Sequence, residues 1–162
     1  MKTREKVIYY ATQQTKNGSA YIWGGQGQKL KDLTSEDIAN METSPEQAKA
    51  VYEFIGKEWL DGKIKRSKAK AFDCSGLAIC ALIYAGVLRI GFDTTADGLF
   101  RKFPEPISAL PGDLVFMVDK SNKAYHVGIL KDLSTVIEAK GRSYGIVESP
   151  YNSQWNGIRS PY

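Results

Sequence analysis

The chain has 162 residues, 43% of them hydrophobic and 25% charged. That length suits one domain with its own core and is short for two, and the composition excludes wholesale disorder, collagen-like repeats and a coiled coil. Twenty-two Lys and Arg against 18 Asp and Glu leave a formal charge of +4, a modest excess that favours an anionic partner without naming one.

At the N-terminus, Lys2, Arg4 and Lys6 precede only Val7 to Ala11 before the polar run Thr12 to Ser19. A secretory signal needs an apolar stretch of about 7 to 15 residues, so no signal peptide is expected: either export is absent or it uses another route. Val7, Ile8, Tyr10 and Ala11 instead recur at helical spacing and predict a helix from about Lys2 to Asn17, stopped by Gly18. Tyr21-Ile22-Trp23-Gly24-Gly25 follows, an aromatic stretch whose paired glycines permit a tight turn or a close backbone approach.

Between Gln26 and Phe72 the sequence reads as a helical insertion. Thr34 and Asp37 form a capping-box pattern, and Ser44-Pro45-Glu46-Gln47 forms a second with proline at the first helical position. The second of these helices is expected to reach about Trp59, to present Ala48, Val51, Tyr52, Ile55 and Trp59 to the core, and to end at Gly62. Lys63, Lys65, Arg66, Lys68 and Lys70 then make a basic run without an acid, either a solvated loop or a contact for an anionic polymer.

Cys74 to Ala85 is apolar nearly all round and predicts a buried central helix ending at Gly86. The whole apolar run, Gly76 to Leu88, is too short and too interrupted by small residues to span a membrane, which takes about 18 residues. In the C-terminal half, Asp113–Val118, Tyr125–Leu130, Thr135–Lys140 and Gly145–Ser149 are short β-branched and aromatic runs between turn formers, which predicts an antiparallel meander. Helices first and strands afterwards argue an α+β fold, a single domain over residues 1–162 with helices on one face of a sheet.

Two cysteines are too few for a disulfide framework. Cys74 and Cys80, about 9 Å apart along a helix axis at 1.5 Å per residue, are not expected to bridge. With one histidine and no paired ligand spacing, neither a metal nor another cofactor is expected.

Cys74 lies at the start of the central helix, where unpaired backbone N–H groups and the helix dipole favour an anion, so a thiolate would be placed for attack. The same donors could steady the oxyanion of a tetrahedral intermediate. Cys80, inside the helix, reads as an inert buried thiol. A catalytic Cys74 needs a base, and His126 is the one histidine in the chain. If 127–129 pair antiparallel with 135–137 around a five-residue loop, Val127 faces Ile137, Ile129 faces Thr135, and His126 stands opposite Glu138. Opposed side chains lie within about 5.5 Å, near enough for the carboxylate to hold the imidazole.

These elements resemble the NlpC-type bacterial cell-wall cysteine peptidases, which are papain-like. The resemblance rests on Tyr21-Ile22-Trp23-Gly24-Gly25, Phe72-Asp73-Cys74-Ser75-Gly76-Leu77, Leu110 to Phe116, His126-Val127-Gly128-Ile129 and Val136-Ile137-Glu138-Ala139, in that order. It implies hydrolysis of an amide in peptidoglycan stem peptides, commonly between γ-linked D-glutamate and the following diamino acid. Cys74 would be nucleophile, His126 base and Glu138 the third polar residue. Tyr21 would lie beside the nucleophile toward substrate, and Asp73 and Ser75 would flank the thiol; packing for Tyr21 and N-capping for Asp73 are the plainer roles.

Three features depart from the family pattern. Glu138 stands where many members carry histidine, the stretch 26–72 exceeds the usual spacer and could form a lid or a wall, and Asp93 to Asp97 match the pocket-lining segment only loosely. The same triad would also serve an N-acetylmuramoyl-L-alanine amidase. A different class is a non-catalytic module that binds an anionic wall polymer through Lys63, Lys65, Arg66, Lys68 and Lys70; nucleic acid is not expected, since the basic run lacks interleaved aromatics. A wall substrate without a signal peptide suits a phage or mobile-element lysin (an endolysin), a domain cut from a precursor, or a cytoplasmic recycling enzyme.

Overall fold

A computed structural model describes residues 1–65 and 67–162. In chain order these form α1 (Thr3–Lys16), β1 (Ala20–Tyr21), β2 (Gln26–Lys29), a 3-10 turn (Leu30–Asp32), α2 (Ser35–Met41), α3 (Pro45–Leu60), β3 (Lys70–Phe72), α4 (Cys74–Tyr84), α5 (Ala96–Lys102), β4 (Leu114–Val118), β5 (Ala124–Asp132), β6 (Thr135–Gly141), β7 (Gly145–Pro150) and β8 (Gly157–Arg159). The arrangement is α+β, with the four expected C-terminal strands in meander order. β8, which the sequence reading missed, adds itself beside β4 to give the order β7-β6-β5-β4-β8.

The main core lies between the helices and one face of this sheet. Val7 and Ala11 of α1 and Leu77, Ala78, Ala81 and Leu82 of α4 pack with Leu114, Phe116, Val127, Ile129, Ile137 and Ala139. Alternation along the strands sends Val115, Leu130 and Val136 to the other face, where Trp155 covers them. At roughly 25 cal/mol per Å2 of apolar surface removed from water, this two-sided burial is the main force holding α4 against the sheet.

Local signals placed α1 to α4, whereas α5, capped by Thr95, was not foreseen. Gly18 takes φ +68° just beyond α1, Thr34 and Asp37 close the capping box of α2, and Ser44 caps α3 with Pro45 in its first turn. The stripe on α3 is narrower than expected. Ala48, Val51 and Ile55 are buried, whereas Tyr52 and Trp59 are 37% and 39% exposed. Tyr52 sits at the rim because its hydroxyl donates to the Ser35 carbonyl at 2.6 Å. α2 and α3 pack on a small sheet, β1-β3-β2, that the sequence reading did not foresee. It joins β1 to β3 in parallel across fifty residues.

The β5–β6 register differs from expectation by two residues. Ile129 pairs with Ile137 and Leu130 with Val136, and after an irregularity Asp132 pairs with Thr135, which was expected to face Ile129. The turn is therefore tighter than five residues, held by Asp132 Oδ1, which accepts from the Ser134 N–H and hydroxyl at 2.9 Å each. A slip of two preserves which face each side chain occupies, so His126 and Glu138 share a face as diagonal neighbours and not as an opposed pair.

The basic run is not one uniform patch among the described residues. Lys63 Nζ lies 3.9 Å from both Glu58 and Asp61 carboxylates, Lys65 and Lys68 are exposed, and Lys70 Nζ sits 5.5 Å from the Tyr10 ring centroid. Arg66 lies outside the described residues.

Candidate active site

The site is built where the Tyr21–Gly25 loop meets the start of α4. Asp73 is the N-cap: its Oδ1 accepts from Gly76 N–H at 2.7 Å and from the Ser75 hydroxyl at 3.3 Å, and its Oδ2 accepts from Gly24 N–H at 3.0 Å. One carboxylate thus ties the loop to the helix start. The Asp73 N–H in turn donates to the Gly25 carbonyl, and that carbonyl lies so close to Gly76 that a Cβ there would collide with it. Glycine at 76 is required by this approach of two backbones. Burial pushes the Asp73 carboxyl above its usual range despite the hydrogen bonds it accepts.

Cys74 is the first residue of α4 and is partly buried. His126, near the start of β5, has Cys74 and Glu138 as its electrostatic neighbours, and both favour its charged form. Its Nε2 stands 3.7 Å from Glu138 Oε1, an ion-pair separation longer than a short direct hydrogen bond. Glu138 is only 4% exposed. Burial opposes the imidazolium, but Cys74 and Glu138 outweigh it, and the His126 pKa is pushed up to about 9.

A further side chain completes this group. The Trp155 ring lies 5.4 Å from the imidazole, tilted by 32°, and covers the side of His126 that the helices do not. It can lie so low because residue 128 is glycine. A Cβ at 128 would meet Trp155 at 3.0 Å and Val136 at 2.5 Å.

Cys74 opens into a cleft of about 420 Å3, whose walls include Tyr21, Trp23, Gly24, Gln26, Asp73, Ser75, Asp93, Thr94, Thr95 and Tyr125. The side chains of His126 and Glu138 are largely covered, 16% and 6% exposed. Burial first, and then Cys74, pushes the Tyr21 hydroxyl up to about 12, with Arg142 pulling the other way. The hydroxyl therefore stays protonated at neutral pH and can donate to an anion beside the thiol. A larger groove of about 700 Å3 runs between the start of α1 and Tyr162, but it holds neither Cys74 nor His126.

Of the residues singled out from sequence, Cys74, His126 and Glu138 come together, and Tyr21, Asp73 and Ser75 surround them. Asp73 is an N-cap as well as a wall residue. Cys80 is not fully buried: it lies in a separate recess with Tyr10, Lys70 and Tyr84, where burial raises its pKa. Both thiols are free, and among the described residues no group of three His, Cys, Asp or Glu is placed to hold a metal ion. Sequence reasoning missed Glu42, Arg142 and Trp155. Glu42 accepts from Trp23 N–H at 2.8 Å and from Arg142 Nη2 at 2.8 Å, a pairing across 100 residues that no local pattern announces. Trp155 had one visible cue, an aromatic ring isolated in the polar tail Asn152 to Asn156.

Comparison with known proteins agrees with this architecture. The NlpC/P60 family model matches residues 18–158. No curated protein matches the chain. Among solved structures, RipD from Mycobacterium tuberculosis, described as a non-catalytic NlpC/p60 domain protein adapted to peptidoglycan binding, shares 18% identity over 98% of this chain and 93% of its own, with a TM-score of 0.59. NlpC2 from Trichomonas vaginalis shares 18% identity over 98% of this chain and 46% of its own, with a TM-score of 0.61. The peptidoglycan hydrolase RipB from Mycobacterium tuberculosis shares 18% identity over 98% and 66%, with a TM-score of 0.56. At these identities the neighbours establish the shared fold, while the family match spans most of the sequence. The chain belongs to the NlpC/P60 family.

Proposed function

We propose that this protein is a cysteine peptidase of the bacterial cell wall, hydrolysing an amide bond in peptidoglycan stem peptides. The observation that carries the reading is the meeting of Cys74, His126 and Glu138 at the start of α4, beside a cleft open to substrate. His126 holds the thiol proton, and the Cys74 sulfur attacks the amide carbonyl, whose oxygen becomes anionic. The start of α4 and the neutral Tyr21 hydroxyl are the available donors for that oxyanion. Collapse of the intermediate breaks the C–N bond, the amine leaves with the proton from His126, and a water deprotonated by His126 then hydrolyses the thioester. Glu138 keeps the imidazole oriented and favours its charged form.

The bond we assign is the γ-D-glutamyl to diamino acid linkage; cleavage between N-acetylmuramic acid and L-alanine is the alternative for the same triad. Purified sacculi incubated with wild type and with Cys74→Ala, followed by mass spectrometry of released fragments, test both points. Fragments are expected from wild type, with at least about a 10³-fold loss in Cys74→Ala; their masses identify the bond, and equal release from the two proteins overturns the reading.

A second reading, peptidoglycan binding without catalysis, is favoured by the RipD neighbour, described as non-catalytic. A thiol-reactive probe separates the two. In a catalyst, Cys74 labels rapidly at neutral pH and slows about tenfold or more in His126→Ala; in a binding module the substitution leaves labelling unchanged.

A further inference from the structure

The Tyr21–Gly25 loop forms one wall of the cleft, and its backbone is held from two sides. Gly24 N–H donates to Asp73 at 3.0 Å, from the helix that carries the thiol. The preceding amide, Trp23 N–H, donates to Glu42 Oε1 at 2.8 Å. Glu42 comes from a different part of the chain: it is the residue at which α2 ends, fixed there by its own N–H donating to the Ile38 carbonyl at 3.0 Å.

The other Glu42 oxygen meets the Arg142 guanidinium. Arg142 Nη2 donates to Oε2 at 2.8 Å, and Nε is shared between Oε2 at 3.2 Å and Oε1 at 3.3 Å. The Glu42 side chain is wholly covered from solvent and that of Arg142 is 20% exposed. Thus aligned, the guanidinium carbon lies 5.1 Å from the Tyr21 ring centroid, within the range of a cation–π contact. A single buried carboxylate therefore fixes both aromatic residues of the wall, Trp23 through its backbone and Tyr21 through Arg142.

Resting on the reading of the cleft as the peptidoglycan site, we propose that Glu42 is a positioning residue for substrate. The helical segment between β2 and β3 then acts as a buttress, setting where Tyr21 and the exposed Trp23 indole meet a stem peptide. Ile22 N–H to the Phe72 carbonyl and Gly24 to Asp73 anchor the loop without Glu42, so its loss loosens the wall while leaving the thiol in place.

The test is made in a Cys74→Ala background, which binds without turnover, using a purified soluble disaccharide-peptide fragment of peptidoglycan and calorimetry. Glu42→Gln is expected to weaken binding about tenfold, as for loss of one charge-assisted hydrogen bond, and to speed hydrogen exchange at the Trp23 amide. With Cys74 restored, iodoacetamide labelling of Cys74 in Glu42→Gln stays within about threefold of wild type. Should the single variant fold poorly, Glu42→Gln combined with Arg142→Gln removes the buried charges together; its fold is expected to recover and its binding to stay weak.

Unchanged affinity in Glu42→Gln overturns the proposal, as does failure of the Cys74→Ala protein to bind the fragment at all. Parallel loss of binding and of Cys74 labelling also overturns it, since that marks general loosening. Weakened binding together with a wild-type Cys74 that labels no faster than Cys80 leaves Glu42 supported and removes the catalytic reading.

Discussion

At residue scale, the proposed chemistry depends on one imidazole with three neighbours: the Cys74 sulfur, Glu138 at 3.7 Å and the Trp155 face. The charged partners win over burial, so NMR titration of the His126 ring is expected to show a midpoint near 9, against an ordinary 6.5. Cys74→Ser and Glu138→Gln each move that midpoint downward. Because folding raises this pKa, the imidazolium stabilises the fold fully below about pH 6.5, and the contribution disappears as pH rises through 9. The stability gap between wild type and His126→Gln therefore narrows over that interval in urea melts. Gly128→Ala tests the indole contact: the added methyl displaces Trp155 or Val136 and costs about 1–3 kcal/mol, and it blunts the His126-dependent part of Cys74 labelling.

At the scale of elements, the decisive junction is the backbone crossing of the Tyr21–Gly25 loop over the first turn of α4. Gly76→Ala drives a methyl into the Gly25 carbonyl, and the expected loss is about 3 kcal/mol in chemical denaturation. Cys74 labelling should fall as well, because the loop that borders the thiol shifts. The β5–β6 hairpin shows how far pairing can be read from sequence. Apolar alternation in Val127, Ile129, Val136 and Ile137 specifies which face points to the core, and it does so for any even slip of register. The actual register was chosen by the turn, where Asp132 gathers the Ser134 donors, so His126 came to lie diagonal to Glu138.

Across the whole molecule, Arg4 joins both ends of the chain to the sheet. Its Nη1 donates to the buried Asp113 Oδ1 at 2.6 Å and to the Pro111 carbonyl at 3.1 Å, its Nη2 donates to the Ser160 hydroxyl, and its guanidinium stacks 4.1 Å from the Tyr162 ring centroid. Asp113 also accepts from Leu110 N–H at 2.9 Å. The Leu110-Pro111-Gly112-Asp113 element that helped carry the family resemblance is thus a structural clasp, away from the cleft. Asp113→Ala should cost about 3 kcal/mol in urea melts, short of the full penalty for a broken buried pair because Arg4 keeps some contact with water. Arg4→Ala combined with Asp113→Ala should lose less than the sum of the two single variants.

The sequence by itself determined what depends on near neighbours. Helix starts followed from Thr34, Ser44 and Asp73, the buried character of α4 from its continuous apolar surface, and the strand order from short runs joined by turns, because caps and periodicity act within a few residues. It also offered Cys74, His126 and Glu138 as candidates, since one histidine leaves one candidate base for a proposed thiol nucleophile. Tertiary structure alone decided the parallel union of β1 with β3, the seating of Trp155 on Gly128, and the reach of Glu42 to Arg142. Each of these joins residues far apart in the chain, and its energy comes from burial and pairing that exist only once the helices and sheet have closed on one another.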